Sequence, residues 1–120
     1  MTTQEIANKV VSLCSQGKFM EALDLYSPDI VSIEAGAPPG QSRESKGIDA
    51  VKAKGEWWTA NHDVHSAKVE GPLVAGAHFA VKYAMDITFK PQNRRFTMEE
   101  VAIYKVADGK IVHEEFFYSM

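Results

Sequence analysis

Apolar and polar positions divide the chain into a helical N-terminal half and a strand-rich C-terminal half. The first helix is indicated by apolar residues at the spacing of one buried helix face: Ile6, Val10, Leu13 and Cys14. Thr2 and Glu5 precede them at the spacing of a capping box. We therefore expect a helix over residues 3 to 16.

Two further helices are predicted before the middle of the chain. Phe19, Ala22, Leu23 and Tyr26 repeat the helical spacing until Pro28, which cannot continue a helix. A third helix of about 12 residues is predicted between Gly47 and Asn61, with Ile48, Val51, Gly55 and Trp58 on one face. Between these helices, residues 30 to 34 form a β-branched strand that leads into a Gly- and Pro-rich loop.

From Asp63 onward the apolar residues alternate with a period of two, which is typical of strands with one buried face. Turn-forming residues follow at 71–72, 91–93 and 108–109, so we predict strands near 63–70, 73–90, 93–106 and 110–118. Consecutive hairpins make this half an antiparallel meander. The pattern predicts an α+β fold, with three N-terminal helices on one face of a curved sheet. A second copy of the chain is expected on the other face, in a homodimer.

Composition narrows the class of protein. The chain has 120 residues, so one domain over residues 1–120 is expected. A net charge of -3 argues against nucleic-acid or membrane binding. Cys14 is the single cysteine, and residues 1–16 lack the pattern of a signal peptide, so a reducing, cytoplasmic location is expected. No motif calls for a cofactor.

Three segments resemble the nuclear transport factor 2-like superfamily, and within it the SnoaL-like and ketosteroid isomerase-like group. They are 17–19 with 23–30 after the first helix, 46–51 at the start of the third, and 104–106 with 108–112. The resemblance covers nearly the whole chain. It implies a cone-shaped α+β fold with a mostly antiparallel, strongly curved sheet around an internal pocket.

The resemblance to ketosteroid isomerases also assigns a role to Glu34. A carboxylate acts as the general base just after the first strand in that family, and Glu34 occupies the matching position. The family's oxyanion-hole tyrosine and its partner acid would fall near Val10 and Ala102, which carry no polar group. The oxyanion hole of that family is therefore missing, and steroid isomerisation is not expected.

Strand alternation supplies two more candidate carboxylates. Glu100 shares a face with Ala102 and Tyr104, and Glu114 shares one with Phe116 and Tyr118. Burial beside aromatic rings would raise the pKa of either carboxyl group, so one would stay protonated while another serves as base. The alternatives are a solvated Glu34 at the edge of the loop, and glutamates paired with lysines on the sheet surface.

The remaining candidates are ligand-contacting side chains. We expect the wall of the pocket to consist of aromatic residues and one histidine: Trp58, His62, Tyr83, Tyr104, Phe116 and Tyr118. His62 and His65 point to opposite faces of a strand, so no metal site is predicted. The loop around Pro38 and Pro39 is a candidate lid, and a plain surface loop is the alternative.

Two functional hypotheses follow. In the first, the pocket binds a hydrophobic or aromatic molecule and isomerises, cyclises or hydrates it, with Glu34 as base and Glu100 or Glu114 as the protonated partner. In the second, the protein is a non-catalytic carrier or association module, since the fold supports either role.

Overall fold

The computed structural model describes residues 1–119, in which two α-helices cover one face of a curved six-stranded sheet. The helices are α1 (Thr3–Ser15) and α2 (Ile48–Asn61). The strands are β1 (Tyr26–Ile33), β2 (Glu44–Lys46), β3 (His62–Ala75), β4 (His78–Phe89), β5 (Arg94–Ala107) and β6 (Lys110–Phe117). Short 3-10 helices span Glu21–Leu25 and Lys90–Gln92.

The strand order across the sheet is β2-β1-β6-β5-β4-β3. β1 and β6 are parallel, whereas the other neighbouring strands are antiparallel. The predicted α+β fold and the antiparallel meander are therefore confirmed. After β2 the chain crosses to the opposite edge of the sheet at β3, and the meander from β3 to β6 then runs back. β6, the last strand, therefore lies beside β1, the first.

Helix α1 begins where the capping pattern predicts. The Thr2 hydroxyl accepts a hydrogen bond from the Glu5 amide at 3.1 Å, and the Glu5 carboxylate accepts one from the Thr2 amide at 2.9 Å. These bonds satisfy two amides that have no partner within the helix. Ile6, Val10 and Cys14 are buried against the sheet, as the periodicity predicts.

The number of helices is two rather than the predicted three. The segment from Glu21 to Leu25 is a single 3-10 helix, and Tyr26 already has the extended backbone of β1. Pro28 lacks an amide donor and disfavours a helical residue before it, so the chain becomes extended earlier than the apolar spacing indicates. As a result the Tyr26 side chain belongs to the sheet.

The predicted strand boundary at residues 71–72 is wrong. β3 continues through Gly71 and Pro72 to Ala75, and the ladder with β4 accommodates them by a register shift between Glu70 and Leu73. The reversal occurs instead after Ala75, where Gly76 has a φ of +57°. A bulge can carry a glycine and a proline inside an edge strand, which period-two patterning does not reveal.

Burial alternates along the sheet as the period-two pattern predicts. On β4 the inward side chains Phe79, Val81, Tyr83, Met85 and Ile87 are all buried. On the opposite surface of the sheet, which we call the outer face, Val101, Ile103 and Phe117 are exposed. None of the helices in the described residues is long and apolar enough to cross a membrane.

This alternation predicts unequal effects of truncating two apolar residues near the same hairpin. Phe79→Ala is expected to lower the free energy of unfolding by about 3–5 kcal/mol, because Phe79 is 1% exposed and its removal leaves a cavity. Leu73→Ala is the control, since Leu73 is 75% exposed and its truncation should cost about 0.5 kcal/mol or less. Urea unfolding measures both values, and similar losses would contradict the observed registers.

Candidate functional site

A cavity of about 230 Å³ lies between the inner face of the sheet and the helices. Helix α2 contributes Val51, Lys54, Gly55 and Trp58 to its wall, and α1 contributes Val10 and Cys14. The strands contribute carboxyl and phenol groups: Tyr26, Tyr83, Glu100, Tyr104 and Glu114. Most of the wall is apolar, so each polar group in it is a candidate for contact with a ligand.

Glu34 is held at the cavity by two donors. Its Oε1 lies 2.8 Å from the Lys54 ammonium and its Oε2 accepts a hydrogen bond of 2.9 Å from the Tyr118 hydroxyl. The backbone amide of Glu34 also donates to the Arg43 carbonyl at 2.9 Å, which fixes the residue just beyond the end of β1. Each oxygen of this carboxylate therefore has one donor, an ammonium on one side and a phenol on the other.

Glu114 is enclosed more completely, at 2% exposure. Tyr26 donates a hydrogen bond to its Oε2, and Ser32 donates one of 2.8 Å to its Oε1. The parallel register of β1 and β6 pairs Ser32 directly with Glu114. Burial raises the pKa of Glu114, and the two hydroxyl donors and Lys54 oppose that rise.

Lys54 connects these two carboxyl groups. Its Nζ lies 2.8 Å from Glu34 and donates to the Ser32 hydroxyl at 2.7 Å, and Ser32 in turn donates to Glu114. The ammonium also lies 5.6 Å from the centre of the Phe116 ring. One helix side chain therefore links the charges of β1 and β6.

Burial raises the pKa of Glu100 to about 7. The carboxylates of Glu34 and Glu114 raise it further, whereas Lys54 lowers it. Among the described residues it has no hydrogen-bond partner of its own. At neutral pH Glu100 is consequently divided between its protonated and ionised forms.

Phenol groups form a third polar cluster in the wall. The hydroxyls of Tyr83 and Tyr104 are 2.8 Å apart, and the Tyr83 hydroxyl lies 3.8 Å from the Cys14 sulfur. All three side chains are buried. Burial raises the pKa of Cys14 to about 11 and the pKa of both tyrosines well above their usual value, so these groups keep their protons at neutral pH.

Most residues predicted from the sequence do meet at the cavity. The three glutamates line it, as do five of the six predicted wall residues: Trp58, Tyr83, Tyr104, Phe116 and Tyr118. His62 does not, because its ring stacks on Trp58 at 4.3 Å and lies in a separate surface depression. The predicted lid residues Pro38 and Pro39 are exposed and do not line the cavity.

Sequence reasoning missed Lys54, Tyr26 and Ser32. Lys54 lies three residues after Val51 and four before Trp58, so it interrupts the apolar stripe of α2, and that break was an available signal. Tyr26 was assigned to a helix, which hid its place in the sheet. The role of Ser32 is evident only from the β1–β6 register, which places its hydroxyl beside Glu114.

Comparison with known proteins agrees with this architecture. The model of the SnoaL-like domain family matches residues 1–118. The chain belongs to the SnoaL-like family. This membership confirms the resemblance to the nuclear transport factor 2-like superfamily. A search of curated proteins returned no match.

Solved structures of this SnoaL-like domain's relatives share its fold. A Mesorhizobium loti protein is 42% identical to this chain, with a TM-score of 0.91. It is provisionally described as a SnoaL-like polyketide cyclase, with carbohydrate phosphatase as a second description. That match covers 98% of this chain and 100% of the other. A Xanthomonas campestris protein of unknown function with a cystatin-like fold is 17% identical, with a TM-score of 0.80 and coverage of 100% and 92%. A Pseudomonas putida protein, provisionally described as a polyketide cyclase, is 16% identical, with a TM-score of 0.73 and coverage of 100% and 93%.

The geometry of the site predicts that Lys54 controls the ionisation of Glu100. Lys54→Met is expected to raise the pKa of Glu100 above about 7, because the ammonium favours the ionised carboxylate and its loss favours the protonated form. Carboxyl-carbon NMR across a pH series, assigned with Glu100→Gln, measures this pKa. Lys52→Met, at an exposed position of the same helix, is the control and should leave it unchanged. An unchanged pKa in Lys54→Met would contradict the coupling.

Proposed function

We propose that this SnoaL-like protein binds a hydrophobic or aromatic small molecule in the cavity and isomerises, cyclises or hydrates it by acid–base catalysis without a cofactor. The observation that carries the proposal is the presence of two unlike carboxyl groups in one apolar cavity. Glu100 has a pKa of about 7, and Glu34 is paired with Lys54. Two such groups can exchange protons with one bound molecule at neutral pH.

Glu34 is the proposed base. The Lys54 ammonium and the Tyr118 hydroxyl each bind one of its carboxylate oxygens, and each oxygen has a second lone pair that can accept a proton. Burial and the neighbouring Glu34 carboxylate raise the pKa of Tyr118, so that hydroxyl remains a donor. The substrate is then expected to carry an acidic C–H group next to a carbonyl.

Glu100, rather than Glu114, is the proposed protonated partner. Both oxygens of Glu114 already accept hydrogen bonds, from Tyr26 and Ser32, and the side chain is almost completely enclosed. Glu100 has no such bonds among the described residues, and its pKa lies close to neutral pH. A protonated Glu100 can donate to the carbonyl oxygen on which negative charge develops.

The choice of substrates for screening follows from this chemistry. Enones, epoxides and polyketide-like ketones combine an apolar skeleton with an oxygen that accepts a proton. The provisional description of the Mesorhizobium loti relative as a polyketide cyclase is compatible with the last of these. Its second description, as a carbohydrate phosphatase, names an unrelated chemistry, so the screen includes more than one substrate class.

Loss of either carboxyl group should abolish most of the turnover. Glu34→Gln and Glu100→Gln are each expected to lower kcat by about 10²–10⁴-fold, because an amide cannot transfer a proton in the same way. Wild-type activity should also fall as the pH rises above about 7, since a general acid acts only while protonated.

Glu99→Gln is the matched control for these variants. Glu99 is the neighbour of Glu100 on β5, faces the opposite side of the sheet and is exposed, so its variant should keep wild-type turnover. Turnover assays across a pH series on the substrate found by screening supply the measurement. Unchanged turnover in Glu34→Gln would contradict the assignment of the base.

A non-catalytic ligand carrier is the second candidate function. Val10 lines the cavity at the position where the resemblance to ketosteroid isomerases expects a hydroxyl, and Ala102 is buried where an acid is expected. The missing donors favour a protein that binds by shape and apolar contact alone. Tight binding with no turnover in any of the variants or in the wild type would support this function instead.

We also propose that the outer face of the sheet joins two copies of the chain. Val101, Ile103 and Phe117 are exposed there, and the β5–β6 register pairs Val101 directly with Phe117. Contiguous exposed apolar residues are typical of an interaction surface. A symmetric dimer would bury the same patch on both subunits.

A charge within that patch should separate the subunits. Ile103→Lys is expected to convert the dimer to a monomer, because two lysines related by symmetry would be brought together in an apolar interface. Sedimentation velocity measures the mass of the species. Ala53→Lys is the control, since Ala53 is exposed on α2, which covers the other face of the sheet. A wild-type protein that sediments as a monomer would contradict the proposal.

A further inference from the structure

The cluster of Cys14, Tyr83 and Tyr104 is not used by the acid–base mechanism, although all three side chains line the cavity. Cys14 comes from α1, Tyr83 from β4 and Tyr104 from β5. Their contacts run in one line, with the Tyr83 hydroxyl between the Cys14 sulfur at 3.8 Å and the Tyr104 hydroxyl at 2.8 Å. We call this line of three groups the relay.

A count of hydrogens shows why the relay is suited to a ligand. Each of the three groups has one hydrogen, because burial keeps the thiol and both phenols protonated at neutral pH. The relay has two internal contacts, and each of them uses one hydrogen. When Tyr83 accepts one hydrogen bond and donates the other, one hydrogen is left over, at one end of the line or at the other.

The direction of the relay decides which end has the unused hydrogen. When Tyr104 donates to Tyr83 and Tyr83 donates to the Cys14 sulfur, the unused hydrogen is on the thiol. When the thiol donates to Tyr83 and Tyr83 donates to Tyr104, the unused hydrogen is on the Tyr104 hydroxyl. Both directions keep two hydrogen bonds, so a reversal requires only rotation of the three hydrogens.

A thiol is a weak hydrogen-bond donor and a phenol is a strong one, so the two directions respond differently to a ligand. Without a ligand acceptor, the phenols are satisfied best when they donate along the relay toward the sulfur. A ligand oxygen beside Tyr104 offers that phenol a stronger acceptor than it loses. When Tyr104 donates to Tyr83, its hydrogen is already used, and the ligand oxygen receives no hydrogen bond from it. Binding of the ligand oxygen therefore favours the direction in which the thiol donates to Tyr83 and Tyr83 donates to Tyr104.

The setting of Tyr104 fits such a contact. Its ring stacks on Phe79 with centroids 4.6 Å apart, which fixes the position of the hydroxyl. Ala102 lies two residues earlier on the same strand face, and its small side chain separates Tyr104 from Glu100. Tyr104 and Glu100 both line the cavity, so one ligand there can contact the phenol and the carboxyl group together.

We propose that the relay is a reversible donor site, in which the Tyr104 hydroxyl binds a carbonyl oxygen of the ligand while the Cys14 thiol becomes a donor to Tyr83. This inference rests on the proposed binding of an apolar molecule in the cavity, and it identifies an aromatic ketone as a suitable class of ligand. Tyr104 contacts the ligand directly, and Tyr83 and Cys14 are positioning residues that act through it.

The test uses acetophenone as the probe and infrared difference spectra of the full chain. The spectra are recorded at about pH 9, where the Glu100 carboxyl group is ionised and cannot donate, while the thiol and both phenols keep their protons. Cys14 is the single cysteine, so the protein has one thiol S–H band, which Cys14→Ala identifies. Binding of the ketone should lower both the frequency of its carbonyl band and that of the S–H band, since each bond becomes involved in a new hydrogen bond. NMR chemical-shift changes report binding independently of both bands.

Three variants distinguish the ends of the relay. Tyr104→Phe is expected to abolish both band shifts and to weaken binding by about tenfold, as for the loss of one hydrogen bond. Tyr83→Phe and Cys14→Ala should keep the carbonyl shift, because both leave the Tyr104 hydrogen available to the ligand. Tyr83→Phe should remove the S–H shift, since it separates the thiol from Tyr104.

The outcomes separate this inference from the proposed function. Binding of the ketone without a carbonyl shift, or with a carbonyl shift and an unmoved S–H band, would overturn the relay and leave the acid–base proposal intact. A carbonyl shift that survives in Tyr104→Phe would overturn it as well. Failure of the ketone to bind at all would contradict the proposed apolar ligand and the relay together.

Discussion

The cavity depends on one ammonium group placed among carboxylates. Three glutamates face the same apolar space, and desolvation raises the pKa of Glu100 and of Glu114. Lys54 is the single cation among the lining residues that the structure describes, and it binds Glu34 directly and Glu114 through Ser32. Glu100 has no direct contact with Lys54, and burial, together with the Glu34 and Glu114 carboxylates, raises its pKa to about 7. Lys54 therefore gives the three glutamates different partners, with a direct contact to Glu34, a contact through Ser32 to Glu114 and none to Glu100 among the described residues.

The burial of carboxyl groups in an apolar cavity also explains the hydroxyl groups that surround them. A buried carboxylate is tolerated when donors occupy its lone pairs, and a hydroxyl can do this without adding a further charge. Tyr26 and Ser32 serve Glu114, and Tyr118 serves Glu34. All three lie on or next to β1 and β6, the one parallel pair of the described sheet. The pairing of the first strand with the last therefore brings these hydroxyl groups to the carboxylates at one end of the cavity.

The sequence was sufficient for the fold class and for most side chains of the site, because both depend on local periodicity. Alternation on β5 and β6 groups Glu100 with Tyr104 and Glu114 with Phe116 on common strand faces, whereas the structure shows that these faces line the cavity. Ser32 could not be found in this way, since its importance comes from a contact with a residue 82 positions away along the chain. Lys54 left a local signal, the break in the apolar stripe of α2, but its contact with Glu34 is seen only in the structure. Tyr26 was missed because Pro28 ends the helical segment earlier than apolar spacing alone suggests.

The positions at which local rules fail are the positions that carry chemistry. An apolar helix stripe would favour a hydrophobic residue at position 54, and a sheet interior would favour one at 100. Lysine and glutamate there reduce the apolar burial that stabilises a small domain, so a folding requirement alone does not account for them. Gly55 follows Lys54 in the same wall, where a Cβ would lie 2.9 Å from the Met20 sulfur. The missing side chain at position 55 therefore lets Met20 pack closely against α2, so that the wall beside the Lys54 charge is closed by an apolar side chain.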